Sequence, residues 1–188
     1  MNNQAYYRLD EGTGCDIAVT DRQLIVNCSG VCVLSEPFTT DNRRGRHDFY
    51  LMYLYQGELS MDIRGSRRSL SAGNIVIFPP KCAYRYSKQG HHRMVYYWAH
   101  FSGTDAGNLL TLCDLQKEMI QDVGVQVEIA EAFQMLFRNF ISRDRYSDIA
   151  AASQLTGICV MMRRYLDGSA SLNARYGVQK IQRSLNHI

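Results

Sequence analysis

The chain has 188 residues, 46% of them hydrophobic, enough to bury one good core with an appendage and a tight fit for two full domains. Its formal net charge is +3, with charges of both signs interspersed and no long basic run, so these residues make a poor nucleic-acid surface by themselves. No stretch approaches the roughly 20 apolar residues of a membrane-spanning helix, and Met1-Asn2-Asn3-Gln4 lacks the pattern of a signal peptide, so a cytoplasmic protein is expected.

In chain order, QLIVNCSGVCVL (Gln23 to Leu34) has two short β-prone runs around Ser29-Gly30, which reads as a turn. The polar SEPFTTDNRRGRHD that follows reads as a loop. FYLMYLY (Phe49 to Tyr55) is apolar or aromatic throughout, as expected of a strand covered on both faces or lining a cavity. After Gln56-Gly57, ELSMDIRGSRRSL supplies a weaker alternating strand with a turn at Gly65-Ser66. Ser71 to Asn74 is a tight turn, and Ile75 to Phe78 is a strand that stops at Pro79-Pro80, because proline cannot donate to a ladder. RMVYYWAHF (Arg93 to Phe101) is a further strand. Short strands at this spacing imply an antiparallel sandwich or barrel.

Beyond Thr104 the period changes. Ile129, Ala132, Phe133, Leu136, Phe137 and Phe140 recur at helical spacing, as do Leu155, Ile158, Cys159, Met162 and Leu166. These stripes predict two long amphipathic helices, antiparallel because the connection, Arg143 to Ser147, is short. Asp167 to Tyr176 is small and polar, a linker in composition. A third stripe, Val178, Ile181, Leu185 and Ile188, meets no stop signal before the last residue, the pattern expected of a truncated helix.

The six cysteines, Cys15, Cys28, Cys32, Cys82, Cys113 and Cys159, stand in apolar sequence without a C-x-x-C pair. They read as buried reduced thiols, with neither a zinc site nor a redox motif suggested.

Arg46 to Leu51, Gly57, Leu70-x-x-Gly73-Asn74, Phe78-Pro79-Pro80, Tyr86 and Tyr97-Trp98-Ala99-His100-Phe101-x-Gly103 form an ordered series. The series resembles the sensor domain of AraC-family transcription regulators, well over residues 23–103 and in outline over the helices. The resemblance implies a mainly β fold: a cupin-like antiparallel barrel (double-stranded β-helix) that holds a small effector, followed by an antiparallel helix pair that joins two protomers. It also implies a bacterial regulator with C-terminal helix-turn-helix units. Residues 177–188 look like the opening helix of that DNA-binding part, whose recognition helices would enter the major groove. The expected division is 1–124 for the barrel with a connecting helical segment, 125–167 for the helix pair, and 168–188 for the linker and the start of the truncated DNA-binding domain.

Candidate site residues follow from strand parity. Tyr84 and Tyr86 share one face of a strand, and Tyr96, Trp98 and His100 share one face of another. If these faces point inward, the lining is aromatic with polar tips, suited to a small polar molecule such as a sugar. Arg46 adds a charged donor, and Arg43 is a weaker candidate. Alternatively Tyr96 and Trp98 simply fill a solid barrel. In known relatives the aligned aromatic positions contact effector, but this chain has Tyr84 or Tyr96 where a relative shows histidine, so the identity of a sugar does not carry over.

A cupin enzyme needs a metal held by two close histidines, a carboxylate and a further histidine. Here His47 has no histidine two residues on, Tyr84 stands where the later ligand belongs, and the adjacent His91 and His92 would point to opposite faces of a strand. They read as part of a solvated loop. No metal, no cofactor and no catalytic residue is therefore expected. The helices have more apolar surface than one barrel can cover, which predicts a homodimer seam at Leu155, Ile158, Met162 and Leu166. Three functions compete: an effector-sensing regulator domain, a metal-dependent cupin enzyme such as a sugar isomerase or oxygenase, and a ligand-free dimerisation module.

Overall fold

The structure is a computed structural model describing residues 2–8, 15–63 and 65–168. Residues 177–188 and most of the expected linker lie outside the described residues. Among the described residues, ten strands precede or interleave with three helices: β1 (Asn2–Tyr7), β2 (Ile25–Leu34), β3 (Phe38–Asn42), β4 (Phe49–Gln56), β5 (Glu58–Ile63), β6 (Ser66–Ser71), β7 (Asn74–Phe78), β8 (Tyr84–Lys88), β9 (Met94–Ser102), α1 (Ala106–Leu112), β10 (Ile120–Asp122), α2 (Val127–Ser142) and α3 (Ser147–Leu166). A six-stranded sheet in the order β1-β2-β9-β4-β7-β10 faces a four-stranded sheet in the order β3-β8-β5-β6, and every pairing is antiparallel. This is the expected mainly β, cupin-like barrel with C-terminal helices.

The larger sheet is covered twice, which explains the unbroken apolar run of β4. Tyr50, Met52 and Leu54 turn into the barrel with Phe78, Tyr84, Tyr86 and Tyr96, whereas Leu51 and Tyr53 turn outward with Tyr97, Ala99 and Phe101 to meet the helices. The outer layer is an aromatic junction. Phe133 of α2 stacks on Tyr97 with ring centroids 5.4 Å apart, and Phe137 stacks on Tyr6 of β1 at 4.9 Å.

The start of α2 is fixed by the sheet below it. The Gln126 amide donates to the Tyr53 hydroxyl at 2.8 Å, and that hydroxyl donates to the Gly124 carbonyl at 3.1 Å. The helix ends at Arg143, whose left-handed backbone (φ 46°) turns the chain back into α3.

Four expectations are corrected. Ser29-Gly30 is no turn, for it lies within the single strand β2. Glycine is needed there because a Cβ would stand 2.3 Å from the Gln4 carbonyl oxygen and 2.7 Å from the Trp98 ring. The stretch 35–48 is not all loop, since β3 runs through it as an edge strand of the smaller sheet. Strands β1 and β10 were not foreseen: β1 is polar, and β10 is only three residues long.

The fourth correction concerns the seam. Leu155, Ile158 and Met162 have no exposed surface in the single chain, because they pack with α2 and the outer face of the larger sheet. They have nothing to offer a partner. Leu166 is only partly buried at the end of α3. The outward face of α3 instead carries Ile149, Ser153, Gly157 and Arg164, all exposed, with Ile149 69% accessible.

Candidate functional site

Register places the inward residues of the larger sheet in rows. Cys28 pairs with His100, and His100 pairs with Tyr50, which pairs with Phe78. The next row is Gly30, Trp98 and Met52, and the one after it is Cys32, Tyr96 and Leu54. From the opposing sheet, Tyr84 and Tyr86 approach the same space. Parity therefore brings Tyr84, Tyr86, Tyr96, Trp98 and His100 together inside the barrel.

These rings touch one another. Tyr50 stacks on His100 at 4.4 Å between centroids, its hydroxyl lies 3.2 Å from that of Tyr86, and Tyr84 packs on Phe78 at 4.4 Å. Tyr86 meets Tyr96 edge-on at 6.4 Å, and Trp98 tilts against His100 at 5.2 Å. Tyr84, Tyr86, Tyr96 and His100 are buried, while Trp98 is only partly buried. Its indole lies over Gly30, in space that a side chain there would occupy.

Burial keeps the phenols of Tyr50, Tyr84 and Tyr96 protonated. It pushes Tyr84 up to about 12 and raises Tyr50 and Tyr96 well above the ordinary phenol value, reinforced by neighbouring phenols. Burial also lowers His100 against the pull of Asp48, so its imidazole is neutral near pH 7. The inner face thus offers uncharged hydroxyl, indole and imidazole groups, able to donate and accept hydrogen bonds over flat apolar rings.

Arg46 is engaged otherwise than expected. Its Nε donates to Asp48 Oδ1 at 2.7 Å and its Nη2 to Asp48 Oδ2 at 3.2 Å, and Nη2 also donates to the Cys15 carbonyl. Much of its fork is thereby committed within the protein, closing one end of the barrel. Arg43 pairs with Asp41 on the surface, and with Tyr84 it borders a surface hollow of about 290 Å³. His91 lies in the exposed β8-β9 connection, 2.9 Å from Glu36, and His92 is exposed beside it.

Sequence reasoning missed the polar cluster at this barrel end. Asp48 has no exposed side-chain surface, and burial pushes its carboxyl up, but His100, Arg46 and Asn27 together hold it below the ordinary aspartate value. Asn27 sits at a bulge in β2 between Val26 and Cys28, which turns its amide inward. The amide donates to Asp48 Oδ2 at 3.0 Å and to the Ile17 carbonyl at 2.8 Å. Tyr50 was also missed as an inward residue, although its two-residue spacing from Met52 and Leu54 carried that signal.

The cysteines divide. Cys15 and Cys28 form a disulfide with Cα atoms 5.7 Å apart, contrary to six reduced thiols, whereas Cys32, Cys82, Cys113 and Cys159 are free and buried as expected. The pairing joins residues 13 apart through the bulge region, a proximity that local spacing does not reveal.

Residues 29–158 match the family model of the AraC-like ligand binding domain. The chain belongs to that family. The match takes in β2 after its bulge, β3 to β10, α1, α2 and most of α3 but not β1, so it spans both the aromatic interior and the helix pair. Curated proteins give no match.

This AraC-like domain is similar to several solved structures. The cupin domain of Cnp3 from Schizosaccharomyces pombe has 14% identity and a TM-score of 0.37, covering 43% of this chain and 53% of that one. A Cupin 2 conserved barrel domain protein from Salinispora arenicola has 17% identity and a TM-score of 0.38, covering 53% and 75%. YhaK from Escherichia coli has 13% identity and a TM-score of 0.44, covering 66% and 52%. The AraC-like chain thus spans about half the length of two of these three. No helix among the described residues is long and apolar enough to cross a membrane.

Proposed function

We propose that this AraC-like domain is the effector-sensing and dimerising part of a bacterial transcription regulator, acting by binding rather than by catalysis. The observation that carries the reading is the inward row of Tyr84, Tyr86, Tyr96, Trp98 and His100 within the region matched as ligand-binding. The proposed effector is a small polar molecule with an apolar face, a sugar being one such class. Its hydroxyls would exchange with the Tyr50–Tyr86 contact, while its flat face would lie on the indole of Trp98. Arg46 is not proposed as a contact, because it holds Asp48.

Dimerisation is proposed through the outward face of α3 centred on Ile149, where Ser153 and Gly157 permit close helix approach. DNA control is proposed to reside in residues beyond about 168, with residues 1–124 as sensor and 125–167 as the dimerising pair. In that arrangement the effector must favour one dimer geometry by a few kcal/mol. Work in the cytoplasm fits this role.

Trp98 is the single tryptophan of the chain and hence a built-in reporter. The test is a screen of sugars and small organic acids by thermal shift and Trp98 fluorescence. A true effector at 100 times its Kd stabilises the fold by about 2.7 kcal/mol and changes the emission. A library without a single compound that does both refutes the reading.

A further inference from the structure

We propose that Cys15, Cys28 and His100 form a site for a thiophilic divalent cation of the zinc class when the two cysteines are reduced, the disulfide being the cation-free state of the same site. Cys28 and His100 are register partners on β2 and β9, so their side chains rise side by side from one face of the sheet. Cys15 comes from the segment before β2, and that segment is anchored around it. Arg46 donates to the Cys15 carbonyl, the His47 amide donates to Asp16 Oδ1 at 2.6 Å, and Asn27 donates to the Ile17 carbonyl. One donor atom from each of Cys15, Cys28 and His100 lies within 4.8 Å of the others.

A second observation points to a ligand. The His100 side chain is nine-tenths buried, and its Nδ1 has no hydrogen-bond partner. A buried ring nitrogen left in this way is costly, and a native fold ordinarily gives it a role. Asp48 Oδ1 stands 3.6 Å from Nδ1, too far to satisfy that nitrogen with a hydrogen bond. Two sulfurs and one imidazole are a donor set for zinc-like ions and a poor one for magnesium or calcium.

Charge is balanced as well. Arg46 Nη2, 3.6 Å from Cys15 Sγ, favours the thiolate, and two thiolates with a divalent cation are neutral beside the Arg46–Asp48 pair. This donor set is not the histidine-rich one whose absence argued against a cupin enzyme. The site does not depend on the proposed effector.

The chemistry balances with a small dithiol as reductant. Its two thiols become a disulfide, and the two electrons and two protons released convert Cys15–Cys28 to two thiols. Binding the cation then releases the two thiol protons to solvent.

The test is Co²⁺ titration of the full chain after reduction and removal of the dithiol without oxygen. Appearance of a near-ultraviolet sulfur-to-cobalt band is followed, with elemental analysis after desalting from Zn²⁺. One equivalent should bind. The band should vanish in Cys15→Ser and after oxidation to the disulfide, and His100→Ala should weaken binding about 10-fold or more. Cys15 is the less buried cysteine of the pair, so Cys15→Ser tests the site with little disturbance of the core, and near-ultraviolet circular dichroism checks its fold. Overturning results are a reduced protein that takes up no Co²⁺ or Zn²⁺, and a band that persists in Cys15→Ser. The first would leave a plain thiol pair. The second would move the binding to other cysteines.

Discussion

Replacing Asp48 with asparagine should remove several kcal/mol of stability while barely changing side-chain volume. Asp48 is fully buried and accepts from both Arg46 and Asn27, whereas the Arg46 side chain keeps 16% of its surface exposed. Breaking a buried pair typically costs about 3–5 kcal/mol, because the remaining charge stays desolvated. Partial exposure of Arg46 lets water relieve it, so we expect the lower end, about 3 kcal/mol. For a domain of this size that is a fall in Tm of roughly 6–12 °C, measurable by thermal and urea unfolding.

The pH dependence carries the same signature. The folded Asp48 carboxyl titrates below its unfolded value, so its contribution is present above the ordinary aspartate range and disappears as pH falls through the folded value. His100 is also lowered, from 6.5, so the unfolded chain takes up its proton first and stability declines as pH drops below about 6.5. Asp48→Asn should flatten the first, more acidic loss and retain the second. A cost below about 1 kcal/mol, the range of exposed ion pairs, would refute the account of Arg46–Asp48 as a closing clamp. Replacing both residues with apolar ones of similar size should recover most of the loss.

Phe133→Ala should cost about 3–5 kcal/mol by opening a cavity between α2 and Tyr97, read from urea unfolding. Gly30→Ala should destabilise the barrel and shift Trp98 emission together, since the added methyl meets a β1 carbonyl and the indole at once; a stable variant with native emission would contradict the close approach. Ile149→Glu should weaken self-association in sedimentation experiments with Tm in the monomer changed by less than a few degrees. Leu155→Glu should unfold the chain instead, because its site is sealed within the protomer.

The barrel and the helix pair were legible in the sequence because their periods are strong. FYLMYLY reads as a strand covered on both faces or lining a cavity, and the Ile129-to-Phe140 stripe lies on a helix that covers its outer face. Alternation by two also placed Tyr96, Trp98 and His100 on one face, and Tyr84 with Tyr86 on another. Legibility failed where long-range neighbours decide. Ser29-Gly30 has turn composition, yet its glycine serves the Trp98 ring, which lies 68 residues later and becomes visible as a neighbour only in the β2-β9 register. The same register set Cys28 beside His100, and a bulge at Asn27 assembled the polar cluster. The seam was misread for a different reason. Leu155, Ile158 and Met162 are the most apolar part of α3, and a single chain uses such residues first, leaving the more polar Ile149 face outward.

Strand β9 gives the proposed sensing role a physical route from the barrel to the helices. Tyr96, Trp98 and His100 face the interior, and between them Tyr97 and Ala99 face α2, with Tyr97 stacked on Phe133. Alternate residues of one strand cannot move independently, because a displacement of its backbone carries both faces. An effector that reorders the inner rings would therefore press on the Tyr97–Phe133 stack, and α2 in turn packs on α3, whose other face carries Ile149. Among the described residues, none from the smaller sheet belongs to the core that the larger sheet shares with the helices, so contacts made only with Tyr84 and Tyr86 would bind without signalling. An effector able to signal must engage Tyr96, Trp98 or His100, whose strand also packs on the helices.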